Sequence, residues 1–138
     1  NDAFEYGKEL AAGKELTQRV RFIQGDVREV RVEDRVDVVK MIGICEYLTD
    51  GQLLDIARAL QKIMPVGAAM VFNSISDAHG TDRFFRRVFG LNMTYRTPQE
   101  LTKIFSKAGF GEFRVFAEPL GVYTVSVARM LSPEGEQA

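Results

Sequence analysis

Asp26 is the first residue whose chemistry stands out, because the apolar run of "VRFIQGDVREV", Val20 to Val30, closes on Gly25 and Asp26. Glycine permits a tight exit from a strand. A carboxylate at the sheet edge accepts hydrogen bonds from whatever occupies the crevice beyond, where ligands of open α/β sheets bind. A plain Gly-Asp turn is the alternative. His79, the only histidine, lies in the polar loop "SDAHGTD". Imidazoles titrate near neutrality and serve as general bases, so His79 is a candidate proton acceptor, with Asn73 and Asp77 as weaker candidates beside it. An ordinary surface histidine is the alternative. Glu46 and Tyr47 follow an apolar run directly and could help shape a site, though a solvated loop or a helix-start contact suits Glu46 better. Cys45 is the only cysteine. With no base partnered to it, it reads as a small, half-buried hydrophobe, and it leaves no internal disulfide or multi-cysteine metal site available.

The elements that must position these residues are legible from periodicity and punctuation. Ala3–Leu16 predicts an amphipathic helix weakened by Gly7 and Gly13, and Val20–Gln24 predicts a strand. "VDVVKMIGI", Val36–Ile44, is the nearly continuous apolar run of a strand covered on both faces, with Lys40 as its one charged interruption. Asp50 reads as an N-cap, followed by a helical face of Leu53, Leu54, Ile56, Ala57, Leu60, Ile63 and Met64 that ends at Pro65. A strand from about Ala68 to Ser74 completes a parallel crossover unit. "RFFRRVFG" predicts a short helix with Phe84, Phe85, Val88 and Phe89 on or near one face. Thr97, Pro98 and Glu100 mark the start of another helix, which stops at Gly109. "GEFRVFAEP" and "GVYTVSVARM" are joined too tightly for a crossover and predict an antiparallel hairpin. "LSPEGEQA" is a polar tail expected to be disordered.

The 138 residues are one domain's worth, and 18 basic residues against 19 acidic give a net charge of −1. No basic field exists to hold a phosphate backbone, so nucleic acid is excluded as an expected partner. No apolar run approaches a membrane span, "NDAFEYGKEL" lacks the pattern of a signal peptide, and a lone thiol fits a reducing compartment; a cytoplasmic protein is expected.

In order and spacing, "VRFIQGDV", "DRVDVVKMIGICEYLTD", "LLDIARALQKIMPVGAAMVF", "TPQELTKIFSKAGFGEF" and "GVYTVSVARM" resemble the C-terminal two thirds of a class I methyltransferase that uses S-adenosylmethionine. Within that superfamily the chain is most similar to a bacterial methyltransferase domain of poorly defined substrate, sometimes joined to hydrolase-like domains. The resemblance implies an α/β, Rossmann-like fold, a mostly parallel sheet with a C-terminal antiparallel hairpin, lacking the first two strands. Residues 1–130 would form this partial domain and 131–138 the tail. It implies that Asp26 accepts from the adenine amine of S-adenosylmethionine and that the N–H of Val27, next to Gly25, reaches a ring nitrogen. Met41, Ile42 and Gly43 would lie against the adenosine and methionine arm, or equally serve as strand core. Tyr47, His79 and Tyr95 would face the methyl acceptor, a small molecule or a lipid, with Phe84, Phe85 and Phe89 lining an apolar pocket or simply packing on their helix face.

The family's glycine-rich cofactor loop lies ahead of everything present, and Asp2 suits a helix N-cap better than a ribose ligand. The family's sheet order places the missing strands between Val20–Gln24 and Val36–Ile44. The expectation is therefore an enzyme part inactive alone, and a chain that is dimeric through exposed sheet edges, poorly stable, or both. A non-catalytic, methyltransferase-like interaction module is the alternative function.

Overall fold

Helix ends with reciprocal caps fix the frame on which the site is built. In the computed structural model, which describes residues 2–131, Thr97 Oγ1 accepts from the Glu100 N–H at 3.2 Å while Glu100 Oε2 accepts from the Thr97 N–H at 2.8 Å. Two otherwise orphaned donors are thereby satisfied, and Pro98 opens α4 (Pro98–Ser106) as predicted. Gly109, with φ of 76°, ends the turn beyond it. The same device starts α2 (Asp50–Gln61), but its cap is Thr49, with Gln52 reciprocating, and not the expected Asp50. Asp50 sits instead in the first turn, where a carboxylate complements the helix dipole.

Two compact units divide the chain, residues 1–30 and 31–138. The first holds α1 (Asp2–Gly13), on which Phe4 meets Phe22 edge to face at 6.1 Å and the Lys8 ammonium lies 4.2 Å from the Phe4 ring centroid. A Cβ at Gly7 would stand 2.9 Å from Phe22 Cε1, so the ring would have to shift to admit one. The strand expected at Val20–Gln24 does not form. A strand exists only as a hydrogen-bonded ladder, and no strand of the described residues pairs with this segment.

The second unit carries one four-stranded sheet, ordered β1-β2-β4-β3, from β1 (Val38–Met41), β2 (Ala69–Ile75), β3 (Phe110–Ala117) and β4 (Tyr123–Met130). β1 and β2 run parallel, with Val38 opposite Ala69, and α2 makes the crossover between them. β4 pairs antiparallel with both β2 and β3, so the predicted hairpin closes the sheet. One face of the sheet takes α2 and α4: Leu53, Ala57, Leu101 and Phe105 are fully buried against Met70, Phe72 and Ala128. Phe72 and Phe105 stack at 4.6 Å between centroids. Residues of alternate parity face the other way, and Val38 and Phe116 there are 62% and 59% exposed. Lys40 is also on that face, which explains a charge inside an apolar run. The expected tail lies outside the described residues beyond Leu131.

Candidate functional site

β1 and β2 end side by side, and the chain leaving each of them is pinned by side chains. After Met41 and Ile42, Gly43 takes a left-handed φ of 74°, a conformation costly for any residue with a Cβ. Its N–H donates to Asn73 Oδ1 at 2.7 Å, tying the exit of β1 to the end of β2. A short 3-10 turn, Cys45–Tyr47, follows, and the loop before α4 crosses it: the Thr94 N–H donates to the Glu46 carbonyl at 2.7 Å and the Arg96 N–H to the Ile75 carbonyl at 3.2 Å.

Arg96 holds this junction. Its side chain is buried, and the guanidinium donates to the Cys45 carbonyl at 2.8 Å, the Leu48 carbonyl at 2.7 Å and Asp50 Oδ1 at 2.9 Å. The rigid fork of donors suits three acceptors that diverge from one point. Nothing in the local sequence announces this role, because every partner lies more than forty residues away.

Around this junction polar groups are left without partners. Glu46 is only 7% exposed, contrary to the solvated-loop reading, and its Oε2 has no hydrogen-bond partner. Asn73 is fully buried, and with Oδ1 occupied by Gly43 its Nδ2 is unpaired. Both residues line one narrow recess with Cys45, Ser74, Thr94, Arg96 and Leu101. Native interiors pair nearly all such groups, so an orphaned donor and acceptor in one narrow recess single it out as the candidate site. The Tyr95 hydroxyl is likewise buried and unpaired, and burial, with Asp82 adding to it, raises its pKa; Tyr47 and Asp77 also act on it.

The other sequence candidates are distributed as follows. Met41 is buried in the core under α2, whereas Ile42 is 38% exposed and Gly43 is open, so only the last two present themselves at the strand mouth. His79 has a left-handed φ of 59°, and its Nε2 lies 3.1 Å from the Leu120 carbonyl in the β3–β4 connection, which engages the ring with the hairpin. Tyr47 is exposed. Cys45 is 2% exposed, and burial, with the Glu46 carboxylate beside it, pushes its thiol up to about 12, so it is an inert core group. Helix α3 (Thr81–Phe89) does not bury its phenylalanines as packing would require: Phe84 and Phe89 are 55% and 59% exposed, and Phe85 is half-buried.

In the first unit, Asp26 is engaged within its own turn. Its Oδ1 accepts from the Arg28 N–H and from Arg28 Nε, both at 2.9 Å, and the Arg28 guanidinium also reaches Oδ2. These bonds hold the carboxyl down to about 2. Gly25 and Val27 flank it and are exposed. Among the described residues no cluster of His, Cys, Asp and Glu side chains is arranged to hold a metal ion, and no helix is long and apolar enough to cross a membrane.

A parallel pair joined by a helical crossover, extended by a strand inserted antiparallel between β2 and β3, is the C-terminal part of the class I methyltransferase fold. Solved structures share it. A possible exported protein from Bordetella parapertussis superposes with a TM-score of 0.79 at 18% identity, over 95% of this chain and 51% of its own. The S-adenosylmethionine-dependent methyltransferase SibL gives 0.76 at 16% identity, over 95% and 41%. Human N-acetylserotonin methyltransferase, in complex with S-adenosylmethionine, gives 0.62 at 16% identity, over 85% and 37%. The chain thus spans about half the length of these proteins or less. No protein-family model and no curated protein matches the sequence.

Proposed function

We propose that this chain is the C-terminal part of a methyltransferase catalytic domain that transfers a methyl group from S-adenosylmethionine to a small-molecule or lipid acceptor. The observation that carries the reading is the recess at the paired ends of β1 and β2, where Glu46 Oε2 and Asn73 Nδ2 are buried without partners. Ligands of open α/β sheets bind outside the carboxyl ends of the strands, and an unpaired acceptor and an unpaired donor lining one recess have the chemistry to pair with a hydroxyl or amine.

The placing of the cofactor at this end of the sheet rests on Gly43. Gly43 has open space where a Cβ would stand, so a ligand can approach its backbone closely. Bound there, S-adenosylmethionine supplies a sulfonium-activated methyl group. Ile42 and Gly43 would wall the adenosine and methionine arm. Within the first unit, Asp26, with the Val27 N–H and the Gly25 backbone beside it, has the acceptor and donor that would match an adenine edge, exchanging an Arg28 donor for the adenine amine. Tyr47 and Tyr95 would border the acceptor. Glu46 Oε2 would receive the acceptor's proton as its oxygen or nitrogen is methylated, and His79 would serve if its ring left the Leu120 carbonyl. Beyond that proton, catalysis of this kind rests on holding two reactants in line. The buried, unpaired thiol of Cys45 suits a reducing, cytoplasmic compartment.

Calorimetric titration with S-adenosylhomocysteine tests the reading on this chain and on a version extended upstream by two strands. Binding by the extended protein, weakened by Asp26→Ala and by Gly43→Val, supports it. Binding by neither overturns it and favours the second reading, a non-catalytic interaction module, which the full occupation of Asp26 by Arg28 supports.

A further inference from the structure

The sequence of α3, "TDRFFRRVF", separates two chemistries around one short helix. At about 100° per residue, Phe84, Val88, Phe85 and Phe89 follow one another around one arc, and Arg86, Arg83 and Arg87 occupy the opposite arc. Arg87 follows Phe84 on one side of the apolar arc, Asp82 comes between Phe89 and Arg86 on the other, and Thr81 falls between Val88 and Phe85. The helix is bracketed by Gly80 and Gly90, both left-handed, with φ of 75° and 68°.

The apolar arc faces water. Phe84, Val88 and Phe89 are 55%, 60% and 59% exposed. The three phenylalanine rings touch one another, with centroids 5.7 to 5.9 Å apart, so the patch is already assembled. None of the three arginines enters an ion pair among the described residues. Asp82, next to Phe89 on the wheel, is the one acidic residue of α3. The helix therefore carries three positive charges against one negative, in a chain whose net charge is −1.

We propose that α3 is a membrane-surface contact, lying in the plane of an anionic bilayer with Phe84, Val88 and Phe89 in the headgroup boundary and Arg86 and Arg87 on lipid phosphates at its two flanks. An exposed apolar arc backed by three arginines against one carboxylate is the pattern of interfacial helices, where burial and attraction to anionic lipid add. Charge selects this occupant over a second copy of the chain. A two-fold pairing of the same face would set the net positive charge of one α3 against that of the other, and like charges oppose it. The proposal does not depend on methyl transfer.

Co-sedimentation of the protein with lipid vesicles tests it, comparing phosphatidylcholine alone with phosphatidylcholine containing about a quarter phosphatidylglycerol. The expected result is binding only to the anionic vesicles, lowered roughly tenfold by Phe84→Ser/Phe89→Ser and by Arg86→Glu/Arg87→Glu, and weakened by salt. Leu120→Ser, at another exposed apolar site, should leave binding unchanged. Circular dichroism of each variant establishes that the fold is kept. Equal binding to neutral vesicles, no binding to either, or binding indifferent to both double substitutions overturns the proposal. So does light scattering that shows a dimer dissolved by Phe84→Ser/Phe89→Ser in a protein that ignores vesicles.

Discussion

Replacing Arg96 with methionine keeps most of the apolar stem and removes the guanidinium that joins the Cys45–Tyr47 turn, the start of α2 and the loop before α4. Two carbonyls, of Cys45 and Leu48, lose their side-chain donor at 2.8 and 2.7 Å. An acceptor left unpaired away from water costs about 1 to 3 kcal/mol. The Asp50 contact adds little, because that carboxylate is 72% exposed and screened by solvent. Removing a buried charge recovers part of its desolvation cost, so the net loss should be about 3 kcal/mol. Arg96→Lys should lose nearly as much, since one ammonium cannot serve three diverging acceptors. Equilibrium unfolding in urea measures both, with Asp50→Asn as the control expected to stay below about 1 kcal/mol. A loss for Arg96→Met below about 1 kcal/mol, or an Asp50→Asn loss equal to it, would refute the reasoning that the buried carbonyls dominate.

Phe105→Ala, at a fully buried ring stacked on Phe72, should cost about 3 to 5 kcal/mol in the same assay. Glu118 accepts N–H bonds from Leu120, Val122 and Tyr123, and these hold its pKa below the ordinary carboxylate value. A depressed folded pKa means stability that is present above the usual carboxylate range and lost as pH falls through the folded pKa. The stability difference between the wild type and Glu118→Gln should therefore shrink on acidification, and a difference constant with pH would contradict it. The Cys45 thiol, buried and raised to about 12, should resist alkylation by iodoacetamide at mildly alkaline pH and react on adding denaturant; equal rates in both states would show it accessible.

The features legible in the sequence are those settled by neighbours in the chain. Thr97, Pro98 and Glu100 define the start of α4 because a capping box needs only four residues, and the two β-rich runs after Gly109 could only fold back on each other. Even so, local signals misplace details: Thr49 outcompetes Asp50 as a cap because Gln52 reciprocates its bond. The resemblance implied a sheet closed by the C-terminal hairpin, and β1-β2-β4-β3 is closed so, although the strand expected at Val20–Gln24 is absent. Of the candidate site, Ile42 and Gly43 were readable as the mouth of a strand, since a strand must end where its apolar run does.

Glu46, Asn73 and Arg96 belong to the tertiary structure. The burial of Glu46 follows from the Thr94–Arg96 loop crossing over it, and the unpaired Nδ2 of Asn73 follows from Gly43 claiming Oδ1. Those partners are distant in sequence, and no periodicity reports them. The same reason governs Val20–Gln24, whose residues have strand propensity but whose ladder requires a neighbour. The sequence by itself determined the helices, the capped start of α4 and the hairpin, because short-range hydrogen bonds and apolar periodicity decide them; the three-dimensional packing decided which polar groups lost water without gaining a partner.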